Sequence, residues 1–301
     1  MIETGRKTAF VFAGGGSLGA IQVGMLRELL SAGVRPDLVI GTSVGAINAA
    51  YFAGFPNEEG VEKLARLWSS LRRSDIFPFT LPRVFSLLLR QPGSIVDSGG
   101  LRQLIEDNLP YARLEDAAIP VHVTATSLEG IAVLLSKGPA IESILASTAI
   151  PGIFPPVRIE GEVLMDGAIA NNTPILAAAK FGASQIVVLP TGIACSLQEP
   201  PKGALARALH GITLLIAWQV IRDLEQIGQG VHVCLVPALC PLDVSPYDFS
   251  ASRYLMQRAA ETARKWLDGG GLTRRFQPHE FAPHRHPPDH AGSDCHEAQQ
   301  A

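Results

Sequence analysis

Apolar runs of strand length alternate with longer helix-patterned stretches along most of this chain, and few folds accept that alternation. Strand-like runs fall at 8–13, 38–41, 120–126, 133–136, 163–165, 185–189 and 231–236. Helical patterns fall at 17–32, 44–53, 58–71, 99–108, 140–147, 173–181, 205–227 and 251–267. A helix between two strands carries the chain back across one face of a sheet, so the second strand can lie parallel to the first. The pattern predicts an α/β fold with a mostly parallel central sheet. No internal repeat is present.

Composition narrows the function classes. The 301 residues suffice for one large domain or two small ones. Hydrophobic residues make up 47% and charged residues 18%, with a mean hydropathy of +0.21, so the chain expects a large core or a surface that meets lipid. A net charge of −3 provides no general basic field, and no nucleic-acid partner is expected. Cys195, Cys234, Cys240 and Cys295 show neither a CxxC pair nor metal-ligand spacing, which suits reduced thiols in a cytoplasmic protein. The first apolar run, 8–13, passes straight into a glycine cluster without the layout of a signal peptide, and charges or prolines break every long apolar stretch before bilayer length, so no membrane span is expected. Any membrane contact is expected to be peripheral.

Three motifs carry chemistry. Gly41-Thr42-Ser43-Val44-Gly45 follows the run Asp37-Leu38-Val39-Ile40 and precedes a small-residue helix. Strand, sharp turn and helix are the context of a nucleophile elbow, where flanking glycines let the chain turn and lift the serine hydroxyl. The same spacing also fits an ordinary turn with an N-cap serine. Gly14-Gly15-Gly16-Ser17-Leu18-Gly19 ends the first strand. It satisfies G-x-G-x-x-G, but a dinucleotide site wants an acidic residue at the far end of the second strand, and Asp37 opens that strand instead. Successive backbone N–H groups at a helix N-terminus suit an oxyanion hole. The third motif, Asp166-Gly167-Ala168, closes the run Val163-Leu164-Met165; by itself an Asp–Gly pair is a turn signal.

Taken together, GGGSLG, GTSVG and DGA in this order resemble the motif triplet of patatin-like phospholipases. The run from Ala146 through Ser147-Thr148-Ala149-Ile150-Pro151-Gly152 to Pro156, and the stretch from Asp166 to Asn171, Asn172 and Pro174, resemble that family as well. The likeness spans residues 8–268. It implies a three-layer α/β/α fold and hydrolysis of lipid acyl esters, phospholipid or neutral lipid, without a cofactor or metal. It assigns Ser43 as nucleophile, Asp166 as its partner, and the backbone at Gly14, Gly15 and Gly16 as oxyanion hole. Leu18 departs from the family, which often carries Arg or Lys there. A lipid transacylase would use the same dyad, and nucleotide binding through the glycine loop is the alternative from another class.

An aspartate is a weak base at its ordinary pKa, and an apolar cleft strengthens it by removing hydration. Val163, Leu164, Met165, Ala168 and Ile169 are the expected walls. The rival is a Ser–His–Asp triad with His232, whose chain order is permitted. His122 and His232 fall near the starts of strands, at the wrong edge of a parallel sheet, and His210 falls on a helix.

Three segments complete the organisation. The run 77–92 is apolar, carries Arg83 and Arg90, and fits either a lid at a membrane surface or a buried helix and loop. The helix at 205–227 has an apolar set wide enough for the core. Residues 1–268 form the expected catalytic domain, and 269–301, rich in Gly, Pro and His, form an expected disordered tail in which metal binding is incidental.

Overall fold

The computed structural model describes residues 6–76, 96–192, 204–240, 242 and 244–276. Eight strands form one sheet: β1 (Thr8–Phe12), β2 (Leu38–Thr42), β3 (Val121–Ser127), β4 (Ala132–Leu135), β5 (Val157–Ile159), β6 (Glu162–Asp166), β7 (Gln185–Leu189) and β8 (His232–Leu235). Their spatial order is β5-β6-β3-β2-β1-β7-β8, with β4 paired to β3. The pairs β3–β2, β2–β1, β1–β7 and β7–β8 are parallel, so the expected parallel core is present.

Helices cover both faces. They are α1 (Gly19–Ser31), α2 (Val44–Gly54), α3 (Glu58–Ser70), α4 (Arg73–Ile76), α5 (Gly99–Asn108), α6 (Ala140–Ser147), α7 (Ala168–Asn171), α8 (Ile175–Lys180), α9 (Ala204–Gln226) and α10 (Ser252–Asp268). Alternate residues of one strand serve opposite faces. Phe10 and Phe12 of β1 join the cluster with Met25, Leu26, Phe52 and Leu64, while Ala9 and Val11 join Ile175, Val220 and Leu224. That gives the three-layer α/β/α arrangement and explains why the central strands read as unbroken apolar runs.

The antiparallel side was not legible in the same way. β5 and β6 form a hairpin through Glu160 and Gly161, both with positive φ (52° and 89°), and β6 runs antiparallel to β3. A two-residue turn with both φ positive matches the twist of the flanking strands and forms a tight hairpin. The Glu-Gly pair between two short apolar runs was the available signal.

Two expectations shift. The helix α9 is only half core: Ala217, Val220, Ile221 and Leu224 are buried, while Ile212, Leu215 and Trp218 are exposed. The chain also stays packed beyond 268. The Leu272 carbonyl accepts from the Cys234 thiol at 3.2 Å, and Phe276 N–H donates to the Val233 carbonyl at 2.9 Å, so 269–276 lie along the outer strand β8. The run at 77–92 lies outside the described residues. Among those described, no helix is long and apolar enough to cross a membrane, and no group of three potential metal ligands forms.

Candidate active site

β1 and β2 are parallel neighbours and each ends in a turn that opens a helix, so two turns stand side by side at one sheet edge. At the second turn Ser43 has φ 55° and ψ −126°, outside the regions where a side chain sits comfortably. A non-glycine residue held there signals a constraint by its surroundings. The constraint is visible. Ser43 N–H donates to Ser147 Oγ at 2.8 Å, and the Ser147 hydroxyl donates to the Thr124 carbonyl at 2.6 Å. Gly45 lets the first turn of α2 press onto β1, because a Cβ there would meet the Phe12 and Ala13 carbonyls.

Asp166 reaches Ser43 from an unexpected direction. Sequence reasoning placed it at the end of the strand run Val163-Leu164-Met165. It does end its strand, but β6 enters antiparallel from the edge that carries both turns and descends into the molecule. Thr42 pairs with Thr124 and Asp166 with Ala125, so the two turns meet at one level from opposite sides of β3. The descent buries the carboxylate to 3% exposure. Ser43 Oγ donates to Asp166 Oδ2 at 2.7 Å, and Ala168 N–H donates to Oδ1 at 2.8 Å. Burial disfavours the charged form and pushes the Asp166 pKa up to about 6; the two hydrogen bonds pull it partly back. The carboxylate is therefore ionised at neutral pH yet far more basic than an exposed aspartate.

The glycine turn lies against Ser43: a side chain at Gly14 would come within 3.2 Å of the Ser43 Cβ. Its three N–H groups are not equivalent. Gly14 N–H donates to the Asn172 carbonyl at 3.2 Å, which departs from the expectation that all three glycines offer free donors. The Gly15 and Gly16 N–H groups donate to no group among the described residues. Thr191 Oγ1 donates to the Gly14 carbonyl at 2.6 Å and fills the space a Cβ on Gly15 would need. Leu18 packs, half-buried, against the main core.

Beneath both turns runs a buried amide chain that motif reading missed. Gln22 Nε2 donates to the Ala13 and Leu189 carbonyls at 2.7 and 2.9 Å, Asn48 Nδ2 donates to Gln22 Oε1 at 2.8 Å, and Trp68 Nε1 donates to Asn48 Oδ1 at 2.9 Å. It ties α1 to α2 and so fixes the glycine turn relative to the elbow. The available signal was a single amide in each helix, Gln22 in the apolar first half of α1 and Asn48 in the otherwise apolar α2.

The remaining candidates lie elsewhere. Asp37 Oδ2 accepts from Thr8 N–H at 2.7 Å, at the amino ends of the strands and opposite the glycine turn. His122, at the amino end of β3, stacks on Phe181 with ring centroids 3.7 Å apart and pairs its Nδ1 with Ser136 Oγ at 2.7 Å. Burial and then Lys7 lower its pKa to about 4. His232 opens β8 with Nε2 3.1 Å from the Leu272 carbonyl. Position 210 falls within α9.

Comparison with known proteins agrees on the family. The model for "Patatin-like phospholipase" matches residues 10–179. The rat patatin-like phospholipase domain-containing protein 7 is 30% identical over 195 residues, 64% of this chain and 14% of that protein. The Drosophila melanogaster neuropathy target esterase sws is 27% identical over 192 residues, 63% of this chain and 13% of that one. This chain thus spans about a seventh of the length of these curated relatives. The crystal structure of VipD from Legionella pneumophila aligns at a TM-score of 0.46 and 14% identity, covering 90% of this chain and 68% of that one.

Proposed function

Because the chain belongs to the patatin-like phospholipase family, we propose that it hydrolyses acyl esters of lipids through a Ser43–Asp166 dyad. The observation that carries the reading is the 2.7 Å hydrogen bond from a strained serine to a buried aspartate whose pKa lies near 6. In that pair the aspartate is the base. Asp166 Oδ2 takes the hydroxyl proton as Ser43 Oγ forms a bond to the ester carbonyl carbon. Charge collects on the carbonyl oxygen, and the Gly15 and Gly16 N–H groups, unpartnered among the described residues, are the donors that meet it. The leaving alcohol takes the proton from Asp166. Water, giving a proton to the same carboxylate, then attacks the acyl carbon; Ser43 Oγ leaves, takes that proton back from Asp166, and the fatty acid is released.

Ala168 N–H holds Oδ1, which leaves Oδ2 directed at the serine and gives the carboxylate one orientation. The helix α2 opens at Ser43, so its N-terminal dipole also favours the negative oxygen. Neither role requires a metal or a cofactor.

A panel of p-nitrophenyl esters and defined phospholipids, with Ser43→Ala as control, tests the reading. The wild-type chain cleaves acyl esters, and Ser43→Ala folds normally but loses about three orders of magnitude or more in turnover. Activity that survives in Ser43→Ala would remove the nucleophile assignment.

A further inference from the structure

Seven large apolar side chains are exposed among the described residues: Leu128, Ile131, Ile169, Ile212, Leu215, Trp218 and Tyr254. Scattered singly, such residues are ordinary. Here six of the seven fall on three elements that touch one another around Asp166. Leu128 and Ile131 sit on the turn between β3 and β4, closed by Gly130 N–H to the Ser127 carbonyl at 3.0 Å. Ile169 lies on α7, three residues past Asp166. Ala170 N–H donates to Thr126 Oγ1 at 3.3 Å, which joins α7 to β3. Gln219 Nε2 donates to the Ile169 carbonyl at 2.9 Å, which joins α7 to α9 beside Trp218.

We propose that this face, comprising the β3–β4 turn, α7 and the Ile212–Leu215–Trp218 stripe of α9, seats the protein on a phospholipid surface beside Ser43 and Asp166. Three features favour lipid over another occupant. The six side chains are between 45% and 66% exposed on a turn, a single helical turn and a helix face, so they project as points. A fluid surface accepts separate points, whereas a protein partner needs a matched relief. The stripe on α9 recurs at every third residue and is bracketed along the helix by Arg207 and Arg222, both exposed. Apolar residues flanked by cations suit an acyl–phosphate boundary, and an indole prefers that depth. Finally, β6 enters from this edge and carries Asp166 inward, so docking here brings the ester bonds of the surface to the site. Glu129, exposed on the β3–β4 turn, limits that limb to shallow insertion.

The proposal rests on the reading of the chain as acting on lipid esters, and the test separates the two. The full chain is titrated with vesicles of phosphatidylcholine containing a minor share of phosphatidylglycerol. Trp218 emission should shift to the blue and be quenched by bromine-labelled acyl chains, and Trp218→Phe should lose the shift. A Leu128→Ser, Leu215→Ser double variant, altered only at exposed positions, should bind vesicles about tenfold or more weakly by co-sedimentation. Its turnover of a soluble p-nitrophenyl ester should stay within about twofold of wild type. Unchanged vesicle affinity in that variant overturns the proposal. So does a wild-type dimer that the same substitutions dissociate, because a second copy then covers the face. A chain that docks as described but cleaves no ester keeps the docking face and removes the hydrolase.

Discussion

The glycine turn after β1 and the elbow after β2 have the same plan, strand into helix at adjacent positions of one sheet, yet they are built oppositely. At the elbow the proposed working part is a side chain, on a backbone held at φ 55°. At the glycine turn the proposed working part is the backbone, and side chains at Gly14, Gly15 and Gly16 are excluded by Asn172, Thr191 and Pro246. The elbow is braced from outside the motif, by Ser147 on α6. The glycine turn is braced by Thr191 beyond β7 and by Asn172 beyond α7. Two similar turns are thus restrained by different neighbours, and the proposed mechanism gives them different parts.

The largest expected effect comes from the residue that serves the elbow alone. Asp166→Asn keeps the shape and removes the base, so turnover should fall by several orders of magnitude, as on removing a member of a triad. The wild-type rate should rise with pH through about 6 and level above it, since the carboxylate must be ionised. Stability has the opposite sign. A carboxyl whose pKa is raised on folding binds more protons folded than unfolded, between its ordinary value near 4 and about 6. Asp166 therefore contributes a decline as pH rises across that window, opposed by His122, whose lowered pKa makes stability rise over the same range. Asp166→Asn should accordingly make stability rise more from pH 4 to pH 7 than it does in wild type, as read by urea titrations at the two pH values.

Gly15→Ala probes the other turn. The added Cβ runs into Thr191, so the donors must shift. Turnover should drop about a hundredfold with KM nearly unchanged, the signature of a lost transition-state donor. A proportionate rise in KM would mean that the glycine turn binds substrate rather than charge.

A smaller effect is expected for Ser147→Ala, which leaves Ser43 N–H and the Thr124 carbonyl unpaired in the interior. The cost should be about 1–3 kcal/mol by urea titration. Turnover should fall about tenfold as the strained elbow relaxes, while KM holds. Full activity in a destabilised variant would make Ser147 purely structural.

The parallel core was legible because buried strands read as continuous apolar runs between helical patterns. Ser43 and the glycine turn were legible because their glycines are required by close packing at fixed spacing. What escaped was whatever depended on distant segments. β5 is three residues long, and the antiparallel entry of β6 follows from a Glu160-Gly161 turn whose only sequence signal was a Glu-Gly pair between two short runs. Ser147, Gln22 and Asn48 act through hydrogen bonds that reach as far as 104 and 167 positions along the chain, which no local pattern encodes. The outward face of α9 misled for a related reason: apolar residues at helical spacing look the same whether they meet core or solvent.

The central claim is that Asp166, and no histidine, activates Ser43. Covalent labelling by a fluorophosphonate tests it directly, with the modified peptide located by mass spectrometry and rates compared across wild type, Asp166→Asn and alanine at His122, His210 and His232. The account predicts an adduct on Ser43, a rate that collapses in Asp166→Asn, and rates within about tenfold of wild type in the three histidine variants. A folded His232→Ala protein as unreactive as Asp166→Asn would contradict it.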